Sequence, residues 1–347
     1  MKTPTHSRTL QTLPGVGITA FSRELPVIRP WEVLIRTHTS FISAGTEIFV
    51  VRKARANDEG FREPIPMGYS LAGTVIAVGA AVDGLETGAR VAAIGTGAFH
   101  AEFVVVSQRL VVPLSESVSE RHAAPMAMMG FAVEAVRKAR LAFGQNVVVV
   151  GGGPMGQYVS QMSHSAGCHT VLIDPVPARL AAVSRGVETL PPDGDIANSI
   201  SEIFGQPGVE VVFLCFGGDG TAITRQLFEC MSRGPDGIIQ GRFVCPGGVH
   251  LTLEMASASG NLEFVSSAKA GPGYRDSDFE GGADYTAGYV PWTVSRNLRV
   301  LERALATGLL NSSEIVTHEF AFEAAPEAYA CLEAPPDDMI GTVLRYS

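Results

Sequence analysis

The stretch 146–167, NVVVVGGGPMGQYVSQMSHSAG, decides the fold of this chain. An apolar run from Asn146 to Val150 predicts a buried strand, and the pattern after the glycines predicts a helix. Between the two lies a G-x-G-x-x-G motif formed by Gly151, Gly153 and Gly156. These glycines permit a tight turn, a close approach of a pyrophosphate to the backbone, and close packing of helix on strand. The stretch therefore predicts a dinucleotide-binding turn.

The start of that helix and the end of the next strand supply the other expected contacts. We expect the phosphates to lie on free amide groups beside Pro154 and Met155, where the helix dipole favours negative charge. Asp174 ends the strand TVLID, where a carboxylate accepts hydrogen bonds from an adenosine ribose and repels a 2'-phosphate. NAD is therefore predicted over NADP. Arg179 could tolerate the extra phosphate, although a place over the adenine or in solvent is preferred. A tight turn without a ligand is the alternative for the glycines alone.

Patterns on either side of this stretch predict two different domains. Toward the carboxyl end, VEVVFLCFG and GIIQGRFV are strand-like and alternate with helical segments, which predicts a parallel sheet covered on both faces. Toward the amino end, WEVLIRTH, YSLAGTVIAVGAAV and AEFVVVSQRLVVPL are short glycine-punctuated strands. A chain of 347 residues is long enough for two such domains.

Composition and charge narrow the class of protein. The net charge of -9 offers no general attraction to nucleic acid or anionic lipid. Because no apolar segment is long enough to span a bilayer and the first residues lack the apolar core of a signal peptide, we expect a cytoplasmic protein that is not membrane-bound. The five cysteines form no CxxC pair, which predicts reduced thiols and no metal-binding lobe.

Several segments together resemble the medium-chain dehydrogenase/reductase superfamily, over essentially the whole chain. They are SAGTE (43–47), the run 66–91, AEFVVV, the run 144–157, VEVVFLCFGG (209–218) and EAYACLEAPPDDMIGTVL (327–344). The resemblance implies an α/β fold in which a GroES-like β-barrel catalytic domain is combined with a Rossmann domain, a doubly wound parallel sheet. The expected boundaries are 1–129 with 290–347 for the first domain and 130–289 for the second. It also implies a substrate cleft between the domains and a homodimer.

The resemblance assigns further residues to the cofactor. Cys215 and Gly217 belong to one of the matching segments. Gly241 with Arg242, and Ser267 with Lys269, are expected to end two sheet strands beside the nicotinamide.

The residues that hold zinc in similar enzymes are replaced here. Zinc-dependent members have a cysteine where Ala44 stands, and a histidine followed by a glutamate where Tyr69 and Ser70 stand. Since alanine cannot ligate, and a neutral phenol or a serine is a poor zinc ligand, we predict no metal. Another group must then take the hydroxyl proton. Tyr69 is one candidate, although it could instead only fill the former zinc cavity.

Four other residues are candidates for the catalytic centre, each with a structural alternative. Thr46 corresponds to the residue that relays protons in the zinc-dependent relatives, and Glu47 follows it; both could instead only hold a turn. Lys269 is a candidate acid, base or oxyanion partner, or a solvated charge. His100 is expected near the same region, or is an ordinary buried histidine.

The segment 268–297 combines glycine turns with many polar and aromatic side chains. It resembles a segment of the subgroup associated with sugars and inositol, and it suits a polyhydroxylated ligand; a dimer contact or a cover for the cofactor is the alternative. SAGTE is also similar to dehydrogenases that act on a bacteriochlorophyll precursor. The side chains of interest are Tyr274, Arg275, Asp276, Asp284, Tyr285, Tyr289, Trp292 and Arg296.

The sequence thus predicts a zinc-independent, NAD-dependent dehydrogenase that interconverts a secondary alcohol and a ketone. Its small-molecule substrate is expected to be a polyol, sugar-like or ring-bearing compound. The first alternative is an NADPH-dependent quinone or enone reductase, against which Asp174 counts. The second is a nucleotide-binding protein without turnover.

Overall fold

The computed structural model describes residues 4–205, 208–256, 258–285 and 290–347. The chain divides into two compact units, which we call the first unit (Met1–Gly130 with Ala270–Ser347) and the second unit (Phe131–Lys269). The second unit is continuous in sequence and is inserted within the first.

The structure gives the following elements. The strands, in chain order, are β1 (His6–Leu13), β2 (Gly17–Glu24), β3 (Glu32–Ile42), β4 (Ile65–Pro66), β5 (Ser70–Val78), β6 (Arg90–Ile94), β7 (Phe103–Ser107), β8 (Val111–Pro113), β9 (Asn146–Val150), β10 (His169–Ile173), β11 (Glu188–Leu190), β12 (Val211–Leu214), β13 (Gly218–Asp219), β14 (Gln240–Cys245), β15 (Val249–His250), β16 (Asn261–Ser266), β17 (Val316–Ala321) and β18 (Gly341–Arg345). The helices are α1 (Ala44–Arg55), α2 (Glu120–Ala123), α3 (Met126–Ala139), α4 (Pro154–Ser165), α5 (Pro177–Ala181), α6 (Ile196–Phe204), α7 (Thr221–Cys230), α8 (Ser277–Glu280), α9 (Val294–Ala306) and α10 (Ala325–Glu333), with short 3-10 turns at Gln108–Leu110 and Phe322–Ala324.

The second unit is built on a six-stranded parallel sheet in the order β11-β10-β9-β12-β14-β16. Every residue of β9 is buried, as expected for a central parallel strand covered on both faces. The order reverses beside β9, because β10 and β11 follow on one side and β12, β14 and β16 on the other. Ligands of such sheets bind outside the carboxyl ends of the strands at this reversal. The doubly wound parallel sheet predicted from the sequence is confirmed.

The first unit consists mainly of antiparallel β-structure. A larger sheet has the order β17-β18-β3-β5-β6-β8, with β7 also paired to β3, and a smaller one has the order β2-β1-β4. One of its cores gathers apolar side chains from β1, α1, α10 and β18, including Leu10, Val51, Leu332 and Leu344. The amino-terminal residues of α1 are thereby anchored on a buried framework.

The segment 270–285 belongs to the first unit, whereas the resemblance implied that it lies in the Rossmann domain. Contacts with residues 95–109 explain this placement. The Ser107 hydroxyl donates to the Glu280 carbonyl at 2.6 Å, and the Arg109 guanidinium lies 5.1 Å from the centre of the Phe279 ring. The domain boundary therefore falls at 269/270 and not at 289/290. Tyr289 lies outside the described residues.

Among residues 4–205, 208–256, 258–285 and 290–347, no helix combines the length and apolar character that a membrane crossing requires. The homodimer stays a prediction.

Candidate functional site

The glycine turn of the second unit has the geometry that the motif predicts. Gly151 follows β9 with a φ of +101°, a conformation that favours glycine. A Cβ atom on Gly156 would lie 1.7 Å from the Gly151 carbonyl oxygen, so only glycine lets α4 approach the turn this closely. A Cβ on Gly153 would meet nothing within 4 Å. The turn therefore leaves open space at its middle glycine, beside the start of α4 at Pro154.

Asp174 is held beside this turn by backbone amides. Its Oδ2 accepts from the Gly152 amide at 2.6 Å, and its Oδ1 accepts from the Val176 amide at 2.8 Å. Arg179 Nη1 lies 3.6 Å from Oδ2. Because a carboxylate offers about four acceptor positions, acceptor capacity remains for the two hydroxyls of a ribose. The structure thus orients a negative charge at the end of β10.

Gln157 is a further residue of this turn, one that the motif alone did not single out. Its side-chain amide donates to the carbonyl of Gly152 at 3.1 Å and to that of Arg179 at 2.7 Å. The side chain is fully buried on α4. Gln157 therefore joins the glycine turn to the segment carrying Arg179. A glutamine directly after the last glycine of the motif was the available signal.

Cys215 and Ser267 lie at the carboxyl edge of the sheet, where Ser267 was expected. Cys215 follows β12, and its amide donates to the Val150 carbonyl at 2.7 Å; Gly217 comes two residues later. Ser267 follows β16, is buried, and has a hydroxyl without a hydrogen-bond partner in the described part of the chain. Lys269 follows and is exposed to solvent. This edge continues the one on which Gly151 lies.

The predicted position of Gly241 and Arg242 at the end of a strand is wrong. Both residues stand at the start of β14, and Arg242 is the parallel partner of Val211, the first residue of β12. They therefore lie at the amino edge, opposite the glycine turn. The Arg242 guanidinium is bound there by Glu263 at 2.5 Å. Pairing with β16 runs from Gln240 to Cys245, so the carboxyl end of β14 is at Cys245.

In the first unit, Glu47 is a buried carboxylate surrounded by donors. It accepts from the Ser43 amide at 2.8 Å and from the Tyr329 hydroxyl at 2.5 Å. His100 Nε2 lies 3.0 Å away and must be the donor, because a carboxylate can only accept. The other imidazole nitrogen lies 2.7 Å from the Ser40 hydroxyl. Glu47 and His100 thus form a buried network that holds the start of α1.

Tyr69 lies close to the start of α1 as well. The residue as a whole is half-buried, and its phenol is hydrogen-bonded to the side chains of Ser43 and Thr46. Burial, followed by the negative charge of Glu47, raises the pKa of the Tyr69 phenol well above its ordinary value. Thr46 itself is exposed. At neutral pH the phenol is therefore an uncharged O–H group whose hydroxyl neighbour reaches solvent.

The four candidate residues of the first unit, Tyr69, Thr46, Glu47 and His100, differ in their accessibility to a ligand. His100 is completely buried and Glu47 is 2% exposed. Both can act only through their neighbours, which matches the structural alternative given for Glu47, a carboxylate bonded to the backbone of a turn. Tyr69 and Thr46 are the two candidates of the first unit that solvent reaches.

Ser70, which the resemblance aligns with a zinc ligand, is hydrogen-bonded to the backbone. The Ser70 hydroxyl donates to the Ala124 carbonyl at 2.5 Å and accepts from the Ala127 amide at 3.0 Å. Within the described ranges, no three His, Cys, Asp or Glu side chains come together as a metal-binding group.

Comparison with known proteins places this geometry in context. Residues 29–116 match the family described as Alcohol dehydrogenase GroES-like domain. The chain is 23% identical to L-threonine 3-dehydrogenase of Pyrococcus horikoshii, with 94% of each chain covered. It is 25% identical to sorbitol dehydrogenase of Rattus norvegicus, with 88% of this chain and 87% of the relative covered. A dehydrogenase structure from Sinorhizobium meliloti with NADP bound matches with a TM-score of 0.75 at 17% identity, covering 99% of this chain and 100% of that one.

Proposed function

Because the chain belongs to the medium-chain dehydrogenase/reductase superfamily, we propose that it is a zinc-independent, NAD-dependent dehydrogenase that interconverts a secondary alcohol and a ketone. The observation that carries this proposal is the Tyr69 phenol, which stands at a former metal-ligand position and is hydrogen-bonded to Ser43 and Thr46. Relatives named for threonine and sorbitol support oxidation at a CH–OH group, and a polyol or sugar-like substrate.

The residues present fit a dinucleotide. The open space at Gly153 admits a pyrophosphate to the turn, and Asp174 retains acceptor positions for a ribose. Bound there, NAD would supply hydride transfer to and from the substrate carbon. Pro154, Met155 and Gly156 would form the phosphate contact at the start of α4, and Arg179 would lie beside the adenosine. The Ser267 hydroxyl is a candidate contact for the nicotinamide end.

Tyr69 would replace the metal as the group that manages charge on the substrate oxygen. In ketone reduction it donates a hydrogen bond to the carbonyl oxygen and then its proton, as the carbonyl carbon accepts hydride. The Thr46 hydroxyl, exposed and bonded to the phenol, returns a proton from solvent. Glu47 and His100 are positioning residues that fix the start of α1. Lys269, which is exposed, would be a solvated charge without a role in the chemical step.

Turnover by metal-free protein tests this proposal. Protein treated with a chelator is mixed with NAD and, in turn, polyols, cyclitols and secondary alcohols, while absorbance of the reduced cofactor is followed. We expect reduction of NAD by one class of alcohol, with the same rate before and after chelation. Activity that disappears on chelation and returns with zinc contradicts the metal-free mechanism. Consumption of NADPH with enones alone indicates an enone reductase instead.

Asp174 is predicted to set the preference for NAD. In Asp174→Asn the carboxylate charge is lost while an acceptor for the Gly152 amide remains. A hydrogen bond to a charged group contributes about 1.5–3 kcal/mol, so NADH should bind roughly 10- to 100-fold more weakly. NADPH should bind more tightly than to the unaltered protein, because the repulsion of its 2'-phosphate is removed. Fluorescence titration with both cofactors measures the two dissociation constants.

Arg179→Met is the control for this experiment. It keeps Asp174, so NADH should remain preferred. An unchanged ratio of the two dissociation constants in Asp174→Asn, or a preference of the unaltered protein for NADPH, would contradict the assignment.

A further inference from the structure

The loop 271–275 holds an arginine in an unusual backbone conformation. Gly271, Gly273 and Arg275 have φ values of +106°, +89° and +57°. For a residue with a Cβ atom this region costs on the order of 1–2 kcal/mol, so the surroundings must impose it. The Arg275 amide donates to Glu280 Oε1 at 3.1 Å, and the Thr96 hydroxyl lies 3.5 Å from the same oxygen. The base of the Arg275 side chain is thereby fixed.

Arg275 is connected to the backbone of the proposed catalytic tyrosine through one ring and one hydrogen bond. Its guanidinium lies 5.7 Å from the centre of the Tyr274 ring and is hydrogen-bonded to the Tyr274 phenol. The Tyr274 ring packs against Gly95, where an added Cβ would lie 3.0 Å from ring atom Cε2. The Gly95 amide in turn donates to the Tyr69 carbonyl at 2.8 Å. The Tyr274 ring thus lies between Arg275 and Gly95, whose amide is bonded to the backbone of Tyr69.

The charge of Arg275 is available to a ligand. The residue is exposed, and in the described part of the chain it belongs to no ion pair within 4.0 Å. Arg109, on the other side of the same segment, differs in this respect because its Nη1 lies 3.6 Å from Asp284. Tyr274 is almost completely buried and cannot neutralise the guanidinium. A guanidinium that belongs to no ion pair in the described residues, on a loop whose tyrosine packs against Gly95, suits an anionic group of the substrate.

We propose that Arg275 binds a carboxylate of the substrate, and hence that the polyol or sugar-like substrate is a hydroxy acid, with a carboxylate in addition to the reacting hydroxyl. This inference rests on the proposed function, and it names the substrate class of the same site. A planar guanidinium can take a carboxylate through two parallel hydrogen bonds, which fixes the acid relative to Tyr69. Recognition through a fixed arginine also restricts the reaction to hydroxyls at one distance from the carboxylate.

Binding of two matched pairs of probes tests the inference without requiring turnover. The pairs are 3-hydroxybutanoate with 1,3-butanediol, and gluconate with sorbitol, each titrated calorimetrically into the full chain in the presence of NAD. The unaltered protein should bind at least one acid about 10- to 100-fold more tightly than its neutral partner. Arg275→Met should remove that preference, and Arg275→Lys should retain only part of it. Arg109→Met is the control and should leave the preference in place.

The outcomes separate this inference from the proposed function. Equal binding of acids and neutral partners by the unaltered protein overturns the inference, and so does a preference that survives in Arg275→Met. Reduction of NAD by a neutral alcohol together with equal binding supports a dehydrogenase and rejects the hydroxy acid. Preferential binding of an acid that depends on Arg275, without reduction of NAD by any probe, supports the recognition and rejects the dehydrogenase.

Discussion

Replacing Tyr69 with phenylalanine should lower kcat for ketone reduction by about 100- to 10,000-fold, the usual contribution of a positioned proton donor. The change removes only the hydroxyl that is bonded to Ser43 and Thr46. If the phenol acts in the chemical step, KM should change much less than kcat. Single-turnover kinetics with the reduced cofactor measures the step directly. A variant with nearly unchanged kcat would assign Tyr69 to packing alone.

Tyr346→Phe is the matched control for this change. It removes another buried phenol hydroxyl of the first unit, one that bonds to Ser40 at 2.9 Å and not to Ser43 or Thr46. Both variants should lose a similar amount of unfolding free energy, about 1 kcal/mol for a lost hydrogen bond, whereas kcat should fall less than tenfold in the control. Comparable losses of kcat in the two variants would mean that folding, and not proton transfer, explains the effect.

Glu47 gives the same mechanism a pH signature. Its negative charge is one of the causes that raise the pKa of the Tyr69 phenol. Alcohol oxidation needs the deprotonated phenol, so its rate should rise with pH through the neutral range. In Glu47→Gln the charge is removed, the pKa of the phenol falls, and the rising limb should move to lower pH. A profile that stays in place, or moves to higher pH, would contradict the role of Tyr69 as the titrating group.

Replacing Gly156 with alanine should have the largest effect on the second unit. The added Cβ would lie 1.7 Å from the Gly151 carbonyl oxygen, and neither of these backbone positions can move without opening the turn. Overpacking commonly costs about 1–3 kcal/mol, and an overlap with backbone should reach or exceed that range. We expect a lower melting temperature together with loss of measurable NADH binding. Thermal denaturation and fluorescence titration measure the two effects.

Gly153→Ala should distinguish an effect on the stability of the turn from an effect on cofactor binding. Its Cβ would meet nothing within 4 Å, and its φ of -66° is ordinary for alanine. Stability should therefore fall by about 1 kcal/mol or less, while binding of NADH weakens because the methyl group occupies the open space. Equal stability of the Gly156 and Gly153 variants would show that the close approach of α4 does not depend on glycine.

The cofactor turn could be predicted because its determinants are local. Three glycines, an apolar strand before them and an acidic residue after the next strand all fall within one short stretch of sequence. The parallel sheet followed from the alternation of strands and helices, and the structure confirms it. Backbone sterics and burial act here over a few residues, so a local sequence pattern is enough to predict the turn and the strands beside it.

The error at Gly241 and Arg242 shows where such patterns fail. The resemblance placed Gly241 and Arg242 at the end of a strand, whereas β14 begins at Gln240 and continues beyond both residues to Cys245. The limits of β14 coincide with its pairing to β16, which a local sequence pattern does not contain. The network around Glu47 was equally hidden, because its partner Tyr329 lies 282 positions away in sequence.

The buried network of the first unit also bears on the order in which the chain folds during synthesis. Glu47 and His100 are translated early. Tyr329, whose hydroxyl donates a hydrogen bond to the Glu47 carboxylate, is translated only after the entire second unit has left the ribosome. Residues 131–269 are continuous and contain a complete sheet, so they can fold while the first unit is still waiting. Until α10 is synthesised, the Glu47 carboxylate and the His100 imidazole of the nascent first unit must stay hydrated by water. Pulse-labelled ribosome-bound chains should therefore show protease resistance in the second unit first.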